Sequence, residues 1–199
     1  AIALFGEKYG DIVLGEETGD PRDFKTWDEF WNAYVKQHML FLRTAFTQQY
    51  IVNNLRARHF AQPMGSAMHD LCMKHCIDLH QTHIPEGIDF GYFEYMGLGT
   101  VVDSLSAIKK LVFEDKKLTM DEVIKAIDAN FEGYEDVKAL LKSAPCYGNN
   151  DDRADNIAVW LLKTFMTDIK SHYTYRESIP TTSILTITSN VVYGKKTGN

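Results

Sequence analysis

The sequence predicts a helix-rich α/β fold, and two kinds of periodicity in the chain support this expectation. Apolar residues recur at three- and four-residue steps over several stretches, which is the pattern of helices that bury one face. Residues 183–192 instead alternate β-branched and other side chains, as strands do. We therefore expect about six helices and one or two strands. Because a lone strand leaves its backbone groups unpaired, it needs neighbours.

The first two helices are predicted from caps and breaks. Thr26 and Glu29 have the spacing of a capping box, and the aromatic-rich stretch after them predicts one long helix that reaches about Arg58. The loop before it, 15–22, is rich in Gly and contains Pro. A second helix is predicted over 66–81.

The remaining elements follow in the same way. Residues 89–99 are rich in aromatics and glycine and are predicted to be extended or irregular, and helical spacing returns over 100–116. Thr119 and Glu122 form a second capping-box pair, and Gly133 is expected to end the helix that follows. Two further helices are predicted over 135–142 and 153–173, the second capped by the polar loop 148–152.

Bulk composition excludes several classes of protein. A chain of 199 residues with 45% apolar content fits one ordinary domain or a fragment of a larger one. A net charge of −6 argues against a nucleic-acid surface, and no apolar run is long enough to predict a membrane span. Three cysteines argue against a disulfide framework and favour a reducing cytoplasm.

Several stretches carry a resemblance to a known family. They are residues 15–25, 99–114, 129–135, 144–151 and 176–199. The second of them begins with Gly99-Thr-Val-Val-Asp-Ser-Leu-Ser-Ala-Ile-Lys109 and continues to Glu114. Together they resemble the glycyl radical enzymes, in which 15–25 is similar to a loop shortly after the catalytic cysteine. The middle of the chain resembles the dehydratase, lyase and benzylsuccinate synthase branches. The end, from about Asn149, resembles pyruvate formate-lyase.

This resemblance implies a fold and a function. The fold would be a partial segment of a ten-stranded α/β barrel, with residues 1–199 forming one segment without an internal domain boundary. In the parent enzyme a protein-derived glycyl radical oxidises a cysteine to a thiyl radical. The expected activity is formate C-acetyltransferase, which converts pyruvate and coenzyme A to acetyl-coenzyme A and formate. The alternatives are a glycyl radical lyase or dehydratase, or an alkyl- or arylsuccinate synthase.

The resemblance also implies the partners of the parent enzyme. They are a small-molecule substrate, a radical S-adenosylmethionine activating enzyme and a second copy in a homodimer, with no nucleic acid and no membrane. The cytoplasm is the expected location.

The motifs that carry the radical in this family are absent from the sequence. There is no Arg-Val-Ser-Gly-Tyr motif and no Cys-Cys or Gly-Cys-x-Glu loop. Cys72, Cys76 and Cys146 lie in other contexts, so no catalytic residue is assigned and no cofactor is expected to bind this segment. Residues 194–199 read as the entrance to a loop. We therefore expect an internal segment that forms barrel and pocket wall and is inactive alone.

Five residues are candidates for the substrate pocket. Tyr92, Glu94 and Tyr95 lie in the aromatic stretch that replaces a Gly-Gly-Ala stretch frequent in the family, and Glu94 would supply a carboxylate for acid–base work. The alternative for Glu94 is a surface position on a loop. Asp103 and Ser104 belong to the Asp-Ser-Leu motif, and we expect them to cap the start of their helix; direct substrate contact is the alternative.

A stripe of His and Cys residues raises the alternative of a metal site. His69, Cys72, Cys76, His80 and His83 follow at steps of three, four, four and three, which would place them on one face of a helix. Zinc prefers such ligands, with Cys72, Cys76 and His80 the candidates. The other interpretation is a buried helix face with hydrogen-bonded His. A non-catalytic helical module that binds metal or a partner is thus a second hypothesis.

The tryptophans and the mixture of family branches lead to two further expectations. Trp27, Trp31 and Trp160 occur at helical spacing and are predicted to lie in the core. The mixture of branches that the chain resembles also suggests, as a third possibility, an artificial chain stitched from several relatives.

Overall fold

The computed structural model describes residues 8–9, 12–13, 15–80, 84–86, 91–174 and 179–185. Helices predominate in this part of the chain, as predicted, and within it no helix is both long and apolar enough to cross a bilayer. The elements are strands β1 (Lys8–Tyr9) and β2 (Ile12–Val13), helices α1 (Trp27–His59), α2 (Pro63–Ala67) and α3 (Asp70–His75), strand β3 (Gly91–Met96), helices α4 (Leu98–Ile108), α5 (Met120–Asp128), α6 (Glu135–Lys142) and α7 (Asp152–Lys170), and strand β4 (Pro180–Leu185).

The described part of the chain divides into two compact units. The first contains the residues up to Phe41, residues 96–163 and the end of β4, and the second contains 42–95 and 164–183. Helices α1 and α7 contribute residues to both units. The expectation that residues 1–199 form one segment of a barrel domain, without an internal boundary, stays a prediction.

The start of α1 confirms the first capping box and the loop before it. The Glu29 N–H donates to Thr26 Oγ1 at 3.3 Å, and the Thr26 N–H donates to Glu29 Oε2 at 3.2 Å. These bonds satisfy donors that a helix leaves without partners in its first turn. Further along α1, the buried Gln37 Nε2 donates to Glu16 O at 2.6 Å and to Thr18 Oγ1 at 3.1 Å. The loop is therefore fixed to the helix that follows it.

The core of the first unit forms around α4. Val102 and Leu105 are fully buried, and α4 packs on α6, which also packs on α5. After Ile108 the helix widens into a π-helical turn over Lys109–Glu114, so the predicted helix over 100–116 is confirmed with an earlier start. Burial contributes about 1.5–3 kcal/mol for each large aliphatic side chain. A buried cluster next to this turn consists of Ala107, Leu111, Leu118, Val123 and Ala144.

Helix α5 begins as predicted but ends earlier than Gly133. The Glu122 N–H donates to Thr119 Oγ1 at 3.2 Å, and the Thr119 N–H donates to Glu122 Oε2 at 2.7 Å. The Thr119 backbone N–H also lowers the pKa of Glu122. Asn130 and Phe131 then take φ values of 50° and 62°, which a right-handed helix cannot accommodate. Gly133, with φ 78°, closes the turn outside the helix.

The last two predicted helices are confirmed. Helix α6 has the predicted bounds, and α7 ends slightly before the predicted 173. The polar loop caps α7 as expected, because Asp151 Oδ1 accepts the Arg153 N–H at 3.0 Å. The side chain of Arg153 also binds this carboxylate, with Nη2 at 2.6 Å from Oδ2, and lowers the pKa of Asp151 to about 2.

The second unit shows that the prediction of one helix over 66–81 is wrong. Helices α2 and α3 are separate because His69 between them is extended, with φ −110° and ψ 111°. Cys76 then adopts the left-handed conformation, with φ 53° and ψ 44°, and ends α3.

A single carboxylate holds the chain after α3 against the start of α2. Asp78 Oδ2 accepts the Gln62 N–H at 2.8 Å and the Ser66 hydroxyl at 2.9 Å. Asp78 Oδ1 accepts the His80 N–H at 2.9 Å, and this bond is the main cause that lowers the pKa of Asp78. These bonds favour a compact turn over the continuous helix predicted for this stretch.

The predicted strand has a neighbour, as expected for a strand whose backbone groups must pair. Residues 91–96 of the segment predicted to be extended or irregular form β3, which is hydrogen-bonded to β4 in a two-stranded sheet. Strand β4 begins at Pro180, before the predicted 183, and most of the predicted strand lies outside the described residues. Strands β1 and β2 form a second, antiparallel pair.

The capping role of Thr119 at the start of α5 can be tested by mutation. We expect Thr119→Ala to destabilise the first turn of α5 by about 1 kcal/mol, because the N–H of Glu122 loses its acceptor. Amide hydrogen exchange in that turn should accelerate about fivefold. The matched control is Thr47→Ala, since Thr47 Oγ1 only donates to the Arg43 carbonyl inside α1. Equal effects in the two variants would contradict a capping role.

Candidate functional site

Strand β3 carries three of the predicted pocket residues, Tyr92, Glu94 and Tyr95. The side chain of Tyr92 lies outside the described part of the chain. Tyr95 is half-buried, and its ring meets Phe165 edge-on with 4.9 Å between centroids. Glu94 is exposed and points to the opposite face, since successive side chains of a strand alternate. The Glu94 carboxylate is therefore accessible, whereas the Tyr95 ring packs against Phe165.

Aromatic contacts in the second unit fix the orientation of β3. The ring of Phe93 stacks on Phe46, with 5.0 Å between centroids and 15° between planes. His172 contacts the same Phe46 ring at 4.5 Å. Each aromatic pair contributes about 0.5–1.5 kcal/mol beyond burial. With Phe93 and Tyr95 held on one face, Glu94 is confined to the other.

Asp103 and Ser104 lie inside α4, so the prediction that they cap its start is wrong. The helix begins at Leu98, after Gly97 with φ 76°, because glycine takes this left-handed conformation without strain. Ser104 Oγ donates to the Thr100 carbonyl at 2.7 Å. Its hydroxyl is therefore occupied within its own helix.

Asp103 instead holds a distant loop. Its Oδ1 accepts the backbone N–H of Tyr147 at 2.7 Å, a charge-assisted bond. This bond joins two of the stretches that carry the family resemblance, 99–114 and 144–151. The sequence alone contains no signal for this pairing, because the two residues are far apart in the chain.

A second carboxylate holds the same loop, and sequence reasoning missed it. Asp155, in the first turn of α7, accepts the Gly148 N–H at 3.0 Å. Its position after a polar loop, in the acidic first turn of a helix, is the signal that could have found it. Within the loop, Asn149 Nδ2 donates to the Cys146 carbonyl at 3.4 Å. The loop is thus attached to both α4 and α7.

The environment of Cys146 does not suit a nucleophile. Burial, followed by the charge of Asp103, raises the pKa of the Cys146 thiol. The thiol also donates to the Ala144 carbonyl at 3.3 Å. Reactive cysteines have a lowered pKa, so this shift is opposite in direction to that of a reactive thiol.

The candidate pocket residues fall in different units. Glu94 and Tyr95 belong to the second unit, and Asp103 and Ser104 belong to the first. Their assignment to one substrate pocket stays a prediction.

The His and Cys stripe is not on one helix. His69 precedes α3, Cys72 is buried within it, and Cys76 is exposed at its end. His80 lies beyond α3, where its Nδ1 is 3.1 Å from the Phe60 carbonyl. His83 lies outside the described residues. Within the described residues no group of three or more His, Cys, Asp or Glu could hold a metal ion.

The first unit also contains a cleft that the sequence analysis did not predict. Trp27, Trp31 and Trp160 are half-buried rather than in the core, and they surround a cavity of about 350 Å³. Trp31 contacts Trp160 edge-on at 4.7 Å between centroids and Trp27 at 5.5 Å. The other lining residues are Lys109, Asp152, Arg153, Asn156 and Ile157.

Comparisons with known proteins place the chain in a family. The family described as "Pyruvate formate lyase-like" matches residues 3–194. The isethionate sulfite-lyase of Desulfovibrio desulfuricans is 80% identical over 151 residues, which cover 76% of this chain and 18% of that protein. The trans-4-hydroxy-L-proline dehydratase of Clostridioides difficile is 33% identical over 188 residues, covering 93% of this chain and 23% of the dehydratase.

A solved structure agrees with these relatives. The glycerol-bound form of the B12-independent glycerol dehydratase from Clostridium butyricum superimposes with a TM-score of 0.80 at 25% identity, covering 98% of this chain and 25% of that one. The chain therefore spans about a fifth to a quarter of the length of the proteins that it matches.

These relatives revise the expected activity and identify the family. They are lyases and dehydratases, which supports the predicted alternative and does not support formate C-acetyltransferase. The family match over nearly the whole chain, together with the 80% identity to a relative, confirms the resemblance noted in the sequence. The chain is a partial segment of a glycyl radical enzyme and belongs to the pyruvate formate lyase-like family.

Proposed function

We propose that the complete protein containing this chain is a glycyl radical lyase that releases sulfite from isethionate. The observation that carries the proposal is the 80% identity, over 151 residues, to an isethionate sulfite-lyase. Three further proteins of that name, from other bacteria, are 73–78% identical over the same length. Identity at this level favours a shared substrate over a shared fold alone.

The reaction balances without a co-reactant. Isethionate is 2-hydroxyethanesulfonate, and the lyase breaks its carbon–sulfur bond. One hydrogen moves from the hydroxyl-bearing carbon to the neighbouring carbon, and the hydroxyl proton leaves with sulfite. The products are acetaldehyde and hydrogen sulfite, and no net oxidation occurs. The family's protein-derived glycyl radical supplies the hydrogen-atom chemistry for such a step.

The role proposed for this chain is to support and line the site. Its sequence has neither radical-bearing motif, so we place both in other parts of the complete protein. From the second unit, the described residues would contribute the Glu94 carboxylate on β3 for acid–base work. A wall of this kind positions substrate and excludes water from the reactive centre.

A dehydratase is the second candidate because the dehydratase relative aligns with more of this chain than the sulfite-lyase does. The trans-4-hydroxy-L-proline dehydratase aligns with 93% of the chain, whereas the sulfite-lyase aligns with 76%. The two activities share an elimination next to a hydroxyl-bearing carbon and differ in the leaving group. A direct comparison of the two substrates separates them.

The family also supports several proposals about the complete protein. We infer that the segment belongs to a single ten-stranded α/β barrel, and that the protein is a cytoplasmic homodimer. We further infer that a radical S-adenosylmethionine enzyme activates it to act on a small-molecule substrate. A structure and a native mass of the complete protein test the barrel and the dimer.

The substrate assignment predicts a specific product. The complete protein, activated anaerobically by its radical S-adenosylmethionine partner, should release sulfite and acetaldehyde from isethionate in equal amounts. Sulfite is measured colorimetrically and acetaldehyde by coupled reduction. Turnover of trans-4-hydroxy-L-proline without sulfite release from isethionate would favour the dehydratase instead, and turnover of neither would contradict both.

The proposed role of Glu94 predicts a loss of rate. In the activated complete protein, Glu94→Gln should lower kcat for sulfite release by about 10²-fold or more, as removal of an acid–base group does. The glycyl radical signal in electron spin resonance should be retained. Glu132→Gln is the matched control, because Glu132 is an exposed carboxylate outside β3. Full activity of Glu94→Gln would show that this carboxylate takes no part in the reaction.

For Asp103 we propose a positioning role, which two substitutions distinguish from substrate contact. Asp103→Asn keeps an oxygen that can accept the Tyr147 N–H, so activity should fall only a few-fold. Asp103→Ala removes the acceptor at a cost of about 1–3 kcal/mol, so amide exchange in 144–150 should accelerate together with the loss of activity. Similar, severe losses in both variants without faster loop exchange would indicate substrate contact.

A further inference from the structure

The short segment after α7 contains a histidine whose ring is held in a fixed orientation. His172 Nδ1 lies 2.7 Å from the carbonyl oxygen of Asp168, in the last turn of α7. A carbonyl oxygen only accepts hydrogen bonds, so Nδ1 carries the hydrogen in this contact. The Ser171 hydroxyl also donates to the same carbonyl, at 2.6 Å. The end of α7 therefore does not depend on His172 for its cap.

The imidazole ring packs against the aromatic stack that holds β3. The centroids of the His172 and Phe46 rings are 4.5 Å apart, with 42° between the ring planes. Phe46 in turn stacks on Phe93 of β3. Because successive side chains of a strand alternate, the position of the Phe93 ring sets the direction in which Glu94 projects.

A salt bridge joins the same two helices beside this contact. Arg43 Nη2 in α1 lies 3.3 Å from Asp168 Oδ1, and the Asp168 side chain is only 12% exposed. Arg43 and Phe46 are three residues apart and so lie on one face of α1. Asp168 thus holds Arg43 with its carboxylate and His172 with its carbonyl. All of these residues belong to the second unit.

We propose that His172 is a positioning residue for Glu94, which acts through the stack of Phe46 on Phe93. This inference rests on the role of Glu94 in the proposed function. An acid–base group works only when it is held in productive geometry, and a displacement of about 1 Å can lower a rate about 10²-fold. Without the imidazole ring, Phe46 loses a contact, and the stack that holds β3 is free to shift.

Two substitutions separate positioning from a role in capping α7. His172→Asn keeps a donor at the place of Nδ1 and loses the ring, whereas His172→Phe keeps a ring and loses the donor. In the activated complete protein, His172→Asn should lower kcat for sulfite release about tenfold, with KM changed less than about twofold. His172→Phe should retain at least about a third of the rate, because a ring still packs on Phe46.

His59→Asn is the matched control, since His59 is exposed at the end of α1 in the same unit. It should leave kcat and KM unchanged. A larger loss in His172→Phe than in His172→Asn is the order expected of helix capping. That order, equal losses in the two variants, or no loss in either would overturn the proposal.

A double variant tests whether the effect passes through Glu94. A residue that acts only through this carboxylate adds nothing once the carboxylate is gone. We therefore expect the variant with both His172→Asn and Glu94→Gln to have the kcat of Glu94→Gln alone, within about twofold. A further loss of about tenfold in the double variant would show independent effects and overturn the proposal.

Amide hydrogen exchange provides a measurement that needs no turnover. In the complete protein before activation, exchange over residues 91–96 should accelerate about fivefold in His172→Asn and stay unchanged in His59→Asn. Unchanged exchange of β3 in His172→Asn would overturn the proposal whatever the substrate is. If the unsubstituted protein releases no sulfite from isethionate, the proposed function fails, and the exchange comparison still decides whether His172 holds β3.

Discussion

The bond between the Asp103 carboxylate and the Tyr147 backbone N–H is the constraint on which the candidate site in the first unit depends. It joins α4, the most buried helix of that unit, to the loop before α7. The loop has no regular secondary structure, so its position depends on such anchors. Asp155 provides the second anchor at Gly148. Together they convert an irregular segment into a defined surface.

The Asp103 carboxylate also affects Cys146. Burial is the main cause of the raised pKa of its thiol, and the negative charge of Asp103 adds to it. The carboxylate that stabilises the loop backbone thus also disfavours the thiolate form of the neighbouring cysteine. Support of the loop and part of the raised thiol pKa therefore come from the same carboxylate.

Aromatic side chains play two different roles in the two units. In the second unit, Phe46 and Phe165 pack against β3 and fix the direction of Glu94. In the first unit, the tryptophans contact one another yet leave a cleft between them. Aromatic residues show the same helical spacing in the sequence whether their rings lie in a core or line a cleft. Whether the space beside a ring is filled depends on side chains that come from remote parts of the chain.

The sequence by itself determined the local elements and the family. The Thr26–Glu29 and Thr119–Glu122 pairs predicted two helix starts, because a capping box acts within a single turn. The combination of motifs in 15–25, 99–114, 129–135 and 144–151 resembles the glycyl radical enzymes. Only the tertiary structure decided the break after α2, since Asp78 holds the chain after α3 against the start of α2. It alone also decided the partner of β4 and the acceptor for Tyr147, because these contacts join residues that no local pattern relates.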